Sequence, residues 1–195
     1  SADTLGKLST AVGQQALSLQ NFTTSVQAYN TAVGYHAGRT ITTGVQNTIV
    51  GSLAGDALTD ADYNVAIGMG TLTSDTLGSR SVAIGPFALE SQNFTTATDS
   101  HNVAVGNHAG LAVTTGIQNT LIGGLAGDAL TDADFNTAVG YAALSSDTLG
   151  SRSVAVGTGA LFAQNFTTAT NAYNVAVGES AGTAVTTGTL NTLIG

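Results

Sequence analysis

The feature that most constrains the fold is the phrase Asn-Val-Ala-Val-Gly at residues 102–106, which recurs with small changes along the whole chain. The eleven closing glycines are Gly13, Gly34, Gly51, Gly68, Gly85, Gly106, Gly123, Gly140, Gly157, Gly178 and Gly195. The intervals between them are 21, 17, 17, 17, 21, 17, 17, 17, 21 and 17 residues. A short repeat of this kind is typical of a solenoid, in which each coil packs against its neighbours.

A longer repeat is superposed on the short one, because each set of three 17-residue intervals and one 21-residue interval covers 72 residues. Residues 30–101 and 102–173 are two such superrepeats, and they match at 48 of 72 positions. Partial copies lie at both ends. We therefore expect residues 1–195 to form a single repeat array that is a fragment of a longer fibre.

Each phrase is predicted to form a short strand whose two faces are both apolar or small. The residue before the glycine is Val or Ile, and the residue two places earlier is Thr or Val. Strand alternation places these two on one face, which we expect to fill the coil interior. The opposite face carries Ala in eight copies and Ile49, Leu121 and Leu193 in three. Since a bare outer face should be polar, we expect neighbouring chains to cover this Ala/Ile/Leu face.

The residue that opens each strand is Asn in eight copies and Ser9, Ser81 or Ser153 in the other three. Both residue types form turns by bonding to nearby backbone groups, which accounts for their presence. Stacked coils also permit an asparagine ladder. The sequence therefore predicts an all-β fold, a parallel β-roll or β-solenoid of about eleven short coils.

Composition excludes several partners. Only 8% of residues are charged and the net charge is −8, which disfavours nucleic acids and anionic membranes. The chain has no cysteine, so stability has to come from stacking and not from disulfides. No apolar run approaches the ~20 residues that span a bilayer. We expect no membrane insertion within this segment.

Three phrases resemble the head repeats of trimeric autotransporter adhesins, and similar phrases occur in phage tail fibres. They are Ser-Val-Ala-Ile-Gly at 81–85, Ser-Val-Ala-Val-Gly at 153–157 and Asn-Val-Ala-Val-Gly at 174–178. The resemblance covers nearly the whole chain. It implies a left-handed parallel β-roll and three chains packed about a common axis, which would cover the Ala/Ile/Leu face. The 17-residue coils and the four-coil superrepeat depart from the head pattern.

Two sets of residues raise the question of ion binding. His36 and His108 lie one superrepeat apart, and in a trimer each would form a ring of three imidazoles. Ser180 takes this place in the third copy, which favours a polar turn instead. Identical acidic loops at 56–62 and 128–134 each hold three aspartates. Their spacing does not match a known calcium loop, so we expect solvated turns.

An enzymatic alternative is a polysaccharide-processing β-helix of a tail spike. Glycosidases need two close carboxylates, and lyases commonly need a base with cationic support. Arg80 and Arg152 lie near Asp75 and Asp147 in the sequence. We expect each of these pairs to be a surface ion pair without a catalytic role.

Threonines and phenylalanines raise two further questions. Paired threonines such as Thr42 and Thr43 make an ice-binding solenoid a minor alternative, although only two coil classes carry the pair. Neighbours in a strand face opposite sides, so we expect no continuous threonine ladder. Asn-Phe-Thr at 21–23, 93–95 and 165–167 matches the glycosylation motif. Its phenylalanine either covers the longer coil or is exposed for contact.

The function that the sequence favours is that of a non-enzymatic, homotrimeric fibre segment. It would project from a cell or virion into the extracellular space and present repeated loops for attachment. Its expected partners are two further copies of itself and a glycan or protein receptor on a host or other cell surface. We assign no catalytic, cofactor-binding or metal-binding residue and no cofactor.

Overall fold

The structure, a computed structural model, describes residues 5–195. Each of the eleven phrases forms a three-residue strand. These strands are Thr10–Val12, Thr31–Val33, Thr48–Val50, Val65–Ile67, Val82–Ile84, Val103–Val105, Thr120–Ile122, Thr137–Val139, Val154–Val156, Val175–Val177 and Thr192–Ile194. They pair in chain order into one eleven-stranded sheet, here called the front sheet. The described residues contain no helix.

The front sheet is parallel and its strands pair without any shift in register. Val103, for example, pairs with Val82 on one side and with Thr120 on the other. At a spacing of ~4.8 Å between strands, eleven strands extend over about 48 Å. The predicted all-β parallel solenoid of about eleven coils is therefore confirmed.

Three pairs of short strands connect each 21-residue coil to the 17-residue coil before it. They are Gly6–Lys7 with Val26–Gln27, Gly78–Ser79 with Thr98–Asp99, and Gly150–Ser151 with Thr170–Asn171. In the second pair, the Leu77 N–H donates to the Phe94 carbonyl at 3.0 Å, and the Thr98 N–H donates to the Leu77 carbonyl at 3.3 Å. The chain therefore leaves the stack after Phe94, makes an exposed loop at 95–97 and returns at Thr98.

The closing glycines from Gly13 to Gly178 form a column in which a side chain would meet the backbone of the next coil. Gly106 has φ 143°, which lies outside the range that other residues favour. A Cβ on Gly106 would lie 2.5 Å from the carbonyl oxygen of Gly123 in the next coil. Glycine is therefore required because two successive coils approach each other through their backbones at this turn.

The strand face that fills the interior is the opposite of the one expected from the sequence. The central residues of the strands, such as Ala104 and Leu121, are 0% exposed. The flanking Val105 is only half-buried, and Ile122 is 38% exposed. The coil is so thin that the facing walls approach closely, and a small residue suits the inward position. The prediction that the Val/Ile and Thr/Val positions fill the coil was wrong.

Each part of the interior holds its large side chains in one of two columns, either at the strand centre or at the positions that flank it. Leu121 lies between Gly110 and Gly127, and a Cβ on either glycine would lie 2.7 Å from a Leu121 methyl group. Next to Ala83, the positions equivalent to these glycines hold the buried leucines Leu72 and Leu89. A large strand centre therefore occurs where the flanking positions are glycine, because dense packing leaves room for only one of them.

Candidate interaction surface

The outer side of the front sheet is a regular surface that all eleven strands build, and we call it the front face. Two middle columns of β-branched residues run along it. One consists of Thr10, Thr31, Thr48, Val65, Val82, Val103, Thr120, Thr137, Val154, Val175 and Thr192. The other consists of Val12, Val33, Val50, Ile67, Ile84, Val105, Ile122, Val139, Val156, Val177 and Ile194.

Two edge columns border the middle columns of the front face. The ring column lies two residues before the Thr/Val column and consists of Leu8, Tyr29, Gln46, Tyr63, Arg80, His101, Gln118, Phe135, Arg152, Tyr173 and Leu190. The turn column follows the closing glycines and consists of Gln14, Tyr35, Ser52, Met69, Pro86, Asn107, Gly124, Tyr141, Thr158 and Glu179. The front face is therefore about four side chains wide.

The middle columns are apolar or hydroxylic and contain no charged residue. Val33, Ile122 and Val177 are 37%, 38% and 39% exposed. Each side chain in a column is flanked by the coils above and below at ~4.8 Å, which already covers much of its surface. The exposure that remains points outward, so these columns form a continuous uncharged strip, largely apolar, with none of residues 5–195 in front of it.

From Tyr29 to Tyr173 the ring column alternates regularly between rings and polar side chains, and a leucine lies at each of its ends. The rings are Tyr29, Tyr63, His101, Phe135 and Tyr173, and each interval between them holds Gln or Arg. The guanidinium carbon of Arg80 lies 4.6 Å from the Tyr63 ring centre, and that of Arg152 lies 4.4 Å from the Phe135 ring centre. These cation–π contacts make the column a stack that runs along the solenoid.

The arginines do not pair with the aspartates expected from the sequence. Arg80 Nε lies 3.0 Å from Asp99 Oδ2, and Arg152 Nε donates to Asn171 Oδ1 at 3.2 Å. Asp75 and Asp147 are instead 0% exposed. The predicted surface pairs of Arg80 with Asp75 and of Arg152 with Asp147 were wrong, because the carboxylates point into the coil.

Asp75 lies in a dedicated buried polar site. Its Oδ1 accepts hydrogen bonds from the N–H groups of Gly78 and Phe94 at 3.0 Å each. Its Oδ2 accepts a hydrogen bond from Gln92 Nε2 at 2.6 Å. Gly78 leaves room for the carboxylate, because a Cβ there would collide with Asp75 Oδ2. Burial raises the pKa of Asp75, while the hydrogen bond from Gln92 and those from the backbone act in the opposite direction.

A buried asparagine ladder connects successive coils behind the front sheet. Asn102 Nδ2 donates to the Gly116 carbonyl at 2.7 Å, and Asn102 Oδ1 accepts from the Asn119 N–H at 2.9 Å. Where Ser81 replaces the asparagine, Gln92 reaches in and donates to its hydroxyl at 3.0 Å. The asparagines therefore do more than form turns, since each one satisfies backbone groups in its own coil and in the next.

The two repeated histidines lie in tight turns beside aromatic rings. His36 stacks on Tyr35 with 3.8 Å between ring centres, and His108 stacks on Phe87 at 5.4 Å. Both have a positive φ, 56° and 57°. Within residues 5–195, no group of three or more His, Cys, Asp or Glu side chains is placed to hold a metal ion.

The carboxylates of the first acidic loop point to separate partners. Asp56 pairs with Arg39 at 2.9 Å. Asp60 accepts from the Thr43 hydroxyl at 2.6 Å, and Asp62 accepts from the Val45 N–H at 2.7 Å. These groups do not converge on one point. The second loop, with Asp128, Asp132 and Asp134, lacks the arginine because Leu111 replaces it.

The corner opposite the front sheet carries a column of threonines in successive coils. Thr59 Oγ1 donates to the Thr76 carbonyl at 3.0 Å, and Thr76 Oγ1 donates to the Phe94 carbonyl at 2.8 Å. Asn93 occupies the column in the fourth coil, where it is exposed while Phe94 is 6% exposed. An asparagine thus follows every three threonines, in keeping with the expectation that no continuous threonine ladder forms. The threonine hydroxyl groups donate hydrogen bonds to backbone carbonyls of the next coil, which supports a structural role.

The chain matches no protein-family model, no curated protein and no solved structure. None of the described residues belongs to a helix that is long and apolar enough to cross a membrane. The geometry of the front face therefore carries the functional argument.

Proposed function

We propose that the chain is a non-enzymatic structural segment of an extracellular fibre, in which three copies pack their front faces about a common axis. The winding in this proposal is left-handed, as in the adhesin heads that the phrases at 81–85 and 153–157 resemble. That resemblance also favours three copies over two and an origin on a cell surface or virion.

The observation that carries the proposal is the uncovered apolar strip of the middle columns. Charged residues of the front face occur only in the edge columns, at Arg80, Arg152 and Glu179. The opposite side of the coil carries the Arg39–Asp56 ion pair and exposed Asp60. A soluble solenoid has no reason to keep one side free of charge unless something apolar covers it. A second copy offers the same strip.

The size of the front face is sufficient for a stable contact between copies. Its length is about 48 Å, and four side chains along a strand span about 20 Å. The product is on the order of 1,000 Å² per copy, so each of the three pairwise contacts in a trimer would bury about 1,000 Å² in total, the size that a specific interface should reach. The seam in this proposal is the Val/Ile and Thr/Val side of the strand and not the Ala/Ile/Leu side, which the coil itself buries.

The attachment role rests on the loops that face away from the front sheet. The exposed loop at 95–97 recurs at 167–169, one superrepeat later. A rod built from such coils displays the same loop at regular heights on every copy, which favours repeated weak contacts with a surface receptor. The receptor class in this proposal is a glycan or a protein of another surface.

Solution mass and electron microscopy test the proposal together. Light scattering should give three times the chain mass of 19.3 kDa, and micrographs should show thin rods. A stable, folded monomer would overturn the proposed fibre. Incubation with surface polysaccharides tests the enzymatic alternative, since new reducing ends would show cleavage.

A further inference from the structure

The two edge columns of the front face match each other in most of their coils. The turn column holds three large apolar residues, Tyr35, Met69 and Tyr141, which are 47%, 48% and 59% exposed. The ring-column residues of the same coils are Tyr29, Tyr63 and Phe135, which are 49%, 41% and 37% exposed. Every large apolar side chain of the turn column therefore shares its coil with an exposed aromatic ring.

Polar positions follow the same rule. Ser52 shares its coil with Gln46. Asn107 likewise shares its coil with His101. Three coils depart from the rule: Leu8 shares its coil with Gln14, and Arg80 shares its coil with Pro86. Tyr173 shares its coil with Glu179, where a phenol hydroxyl is a suitable donor to a carboxylate.

Contacts within one copy do not explain this match. Tyr63 and Met69 lie on either side of the strand Val65–Ile67, so the strand separates them by more than a side-chain contact and by at most about 20 Å. The middle columns lie between them. The ring column and the turn column therefore have similar polarity in most coils, although their side chains do not contact each other within one copy.

We propose that the ring column of one copy packs against the turn column of the neighbouring copy, with each coil facing the same coil. This inference rests on the proposed association through the front face and adds its register and its edge contacts. When copies are related by rotation about an axis parallel to the direction in which the coils stack, the ring column of one copy lies beside the turn column of the next. Equivalent coils then lie at the same position along that axis. The pairs Tyr29–Tyr35, Tyr63–Met69 and Phe135–Tyr141 then form apolar contacts between copies.

A displacement of one coil would destroy this match. Gln46 would face Met69, and Gln118 would face Tyr141. Each glutamine amide would lose water without gaining a hydrogen-bond partner, which is unfavourable. The edge columns therefore select the register, while the uniform middle columns permit several.

Cysteine scanning tests the register directly, because the chain contains no cysteine. A fixed Met69→Cys is combined in turn with Tyr29→Cys, Gln46→Cys, Tyr63→Cys, Arg80→Cys or His101→Cys. These five positions sample two coils below to two coils above Met69 in the ring column. A disulfide needs Cα atoms closer than about 7 Å, and within one copy the intervening strand holds the two columns further apart than that, which excludes an intrachain bond.

Mild oxidation should give the highest yield of covalently closed trimers with the Tyr63→Cys pair, and a yield at least several-fold lower for partners two coils away. Each variant is checked for the parent's circular dichroism spectrum and mass before oxidation. A maximum at another position, or trimers that none of the five pairs cross-links, would overturn the inference but leave the proposed association standing. A monomeric parent chain would overturn the association itself.

Discussion

Replacement of Leu121 by alanine measures what the interior of one coil contributes to stability. The side chain is 0% exposed, and the change removes three buried carbons, worth about 2.4 kcal/mol at roughly 0.8 kcal/mol each. Gly110 and Gly127 flank it without side chains that move into the space. A cavity therefore remains, and the total loss in the free energy of unfolding should be about 3–5 kcal/mol.

Ile122→Ala is the matched control, because it removes the same number of carbons from the next residue of the same strand. Ile122 is 38% exposed on the front face, so its loss within one copy should be about 1 kcal/mol or less. Both changes are made in a chain kept monomeric by Val105→Asp, so that association does not contribute. Urea unfolding followed by circular dichroism gives the two free energies. Equal losses, or a larger loss for Ile122→Ala, would refute the assignment of strand faces.

Three further changes probe the turns, the ladder and the buried carboxylate. Gly106→Ala should prevent close stacking of two coils and lower the melting temperature, whereas Gly124→Ala, with no atom closer than 3.5 Å to its Cβ, should leave it unchanged. Asn119→Ala leaves buried backbone groups unsatisfied and should cost about 1–3 kcal/mol in urea unfolding, while exposed Gln118→Ala should cost little. Because burial raises the pKa of Asp75 above 3.8, the folded chain binds that proton more tightly than the unfolded chain. The free energy of unfolding should therefore rise as the pH falls through the raised pKa towards 3.8, and Asp75→Asn should reduce that rise in urea titrations between about pH 7 and pH 4.

The repeat period alone was enough to predict the solenoid. Each closing glycine marks a turn where backbone approaches backbone, and the β-branched residue before it marks a strand. The parallel, unshifted pairing of Val103 with Val82 and Thr120 follows from equal phrases stacked at equal intervals. Local sequence therefore determines both the coil length and the register.

The inward face of the strand could not be predicted in the same way. In an ordinary half-buried strand a polar face identifies the outside, but here Ala104 and Val105 are both apolar. The choice depends on the thickness of the coil, which is a property of the whole turn. A thin coil accommodates Ala104 inside and leaves Val105 outside. The thickness of the coil cannot be deduced from the sequence of a three-residue strand.

Two features of the interaction surface and the interior were missed although the sequence contains a signal for each. Asp75 and Gln92 occupy the same position, seven residues after a glycine, where Leu58 and Val113 fill the coil in other copies. That equivalence identifies the position as interior. Alignment on the glycines likewise shows a ring in every second coil before the strand. Both signals appear only when each position is compared across all coils.

Sedimentation of two single variants tests the central claim most directly, that the strand turns its Ala/Leu column inward and its Val/Ile column towards other copies. Val105→Asp should give a folded monomer, because a charge on the front face opposes association but remains accessible to water in one copy. Leu121→Asp should instead unfold the coil, because the charge would be buried without a partner. A Val105→Asp chain that unfolds, or a Leu121→Asp chain that stays folded and only dissociates, would contradict the account.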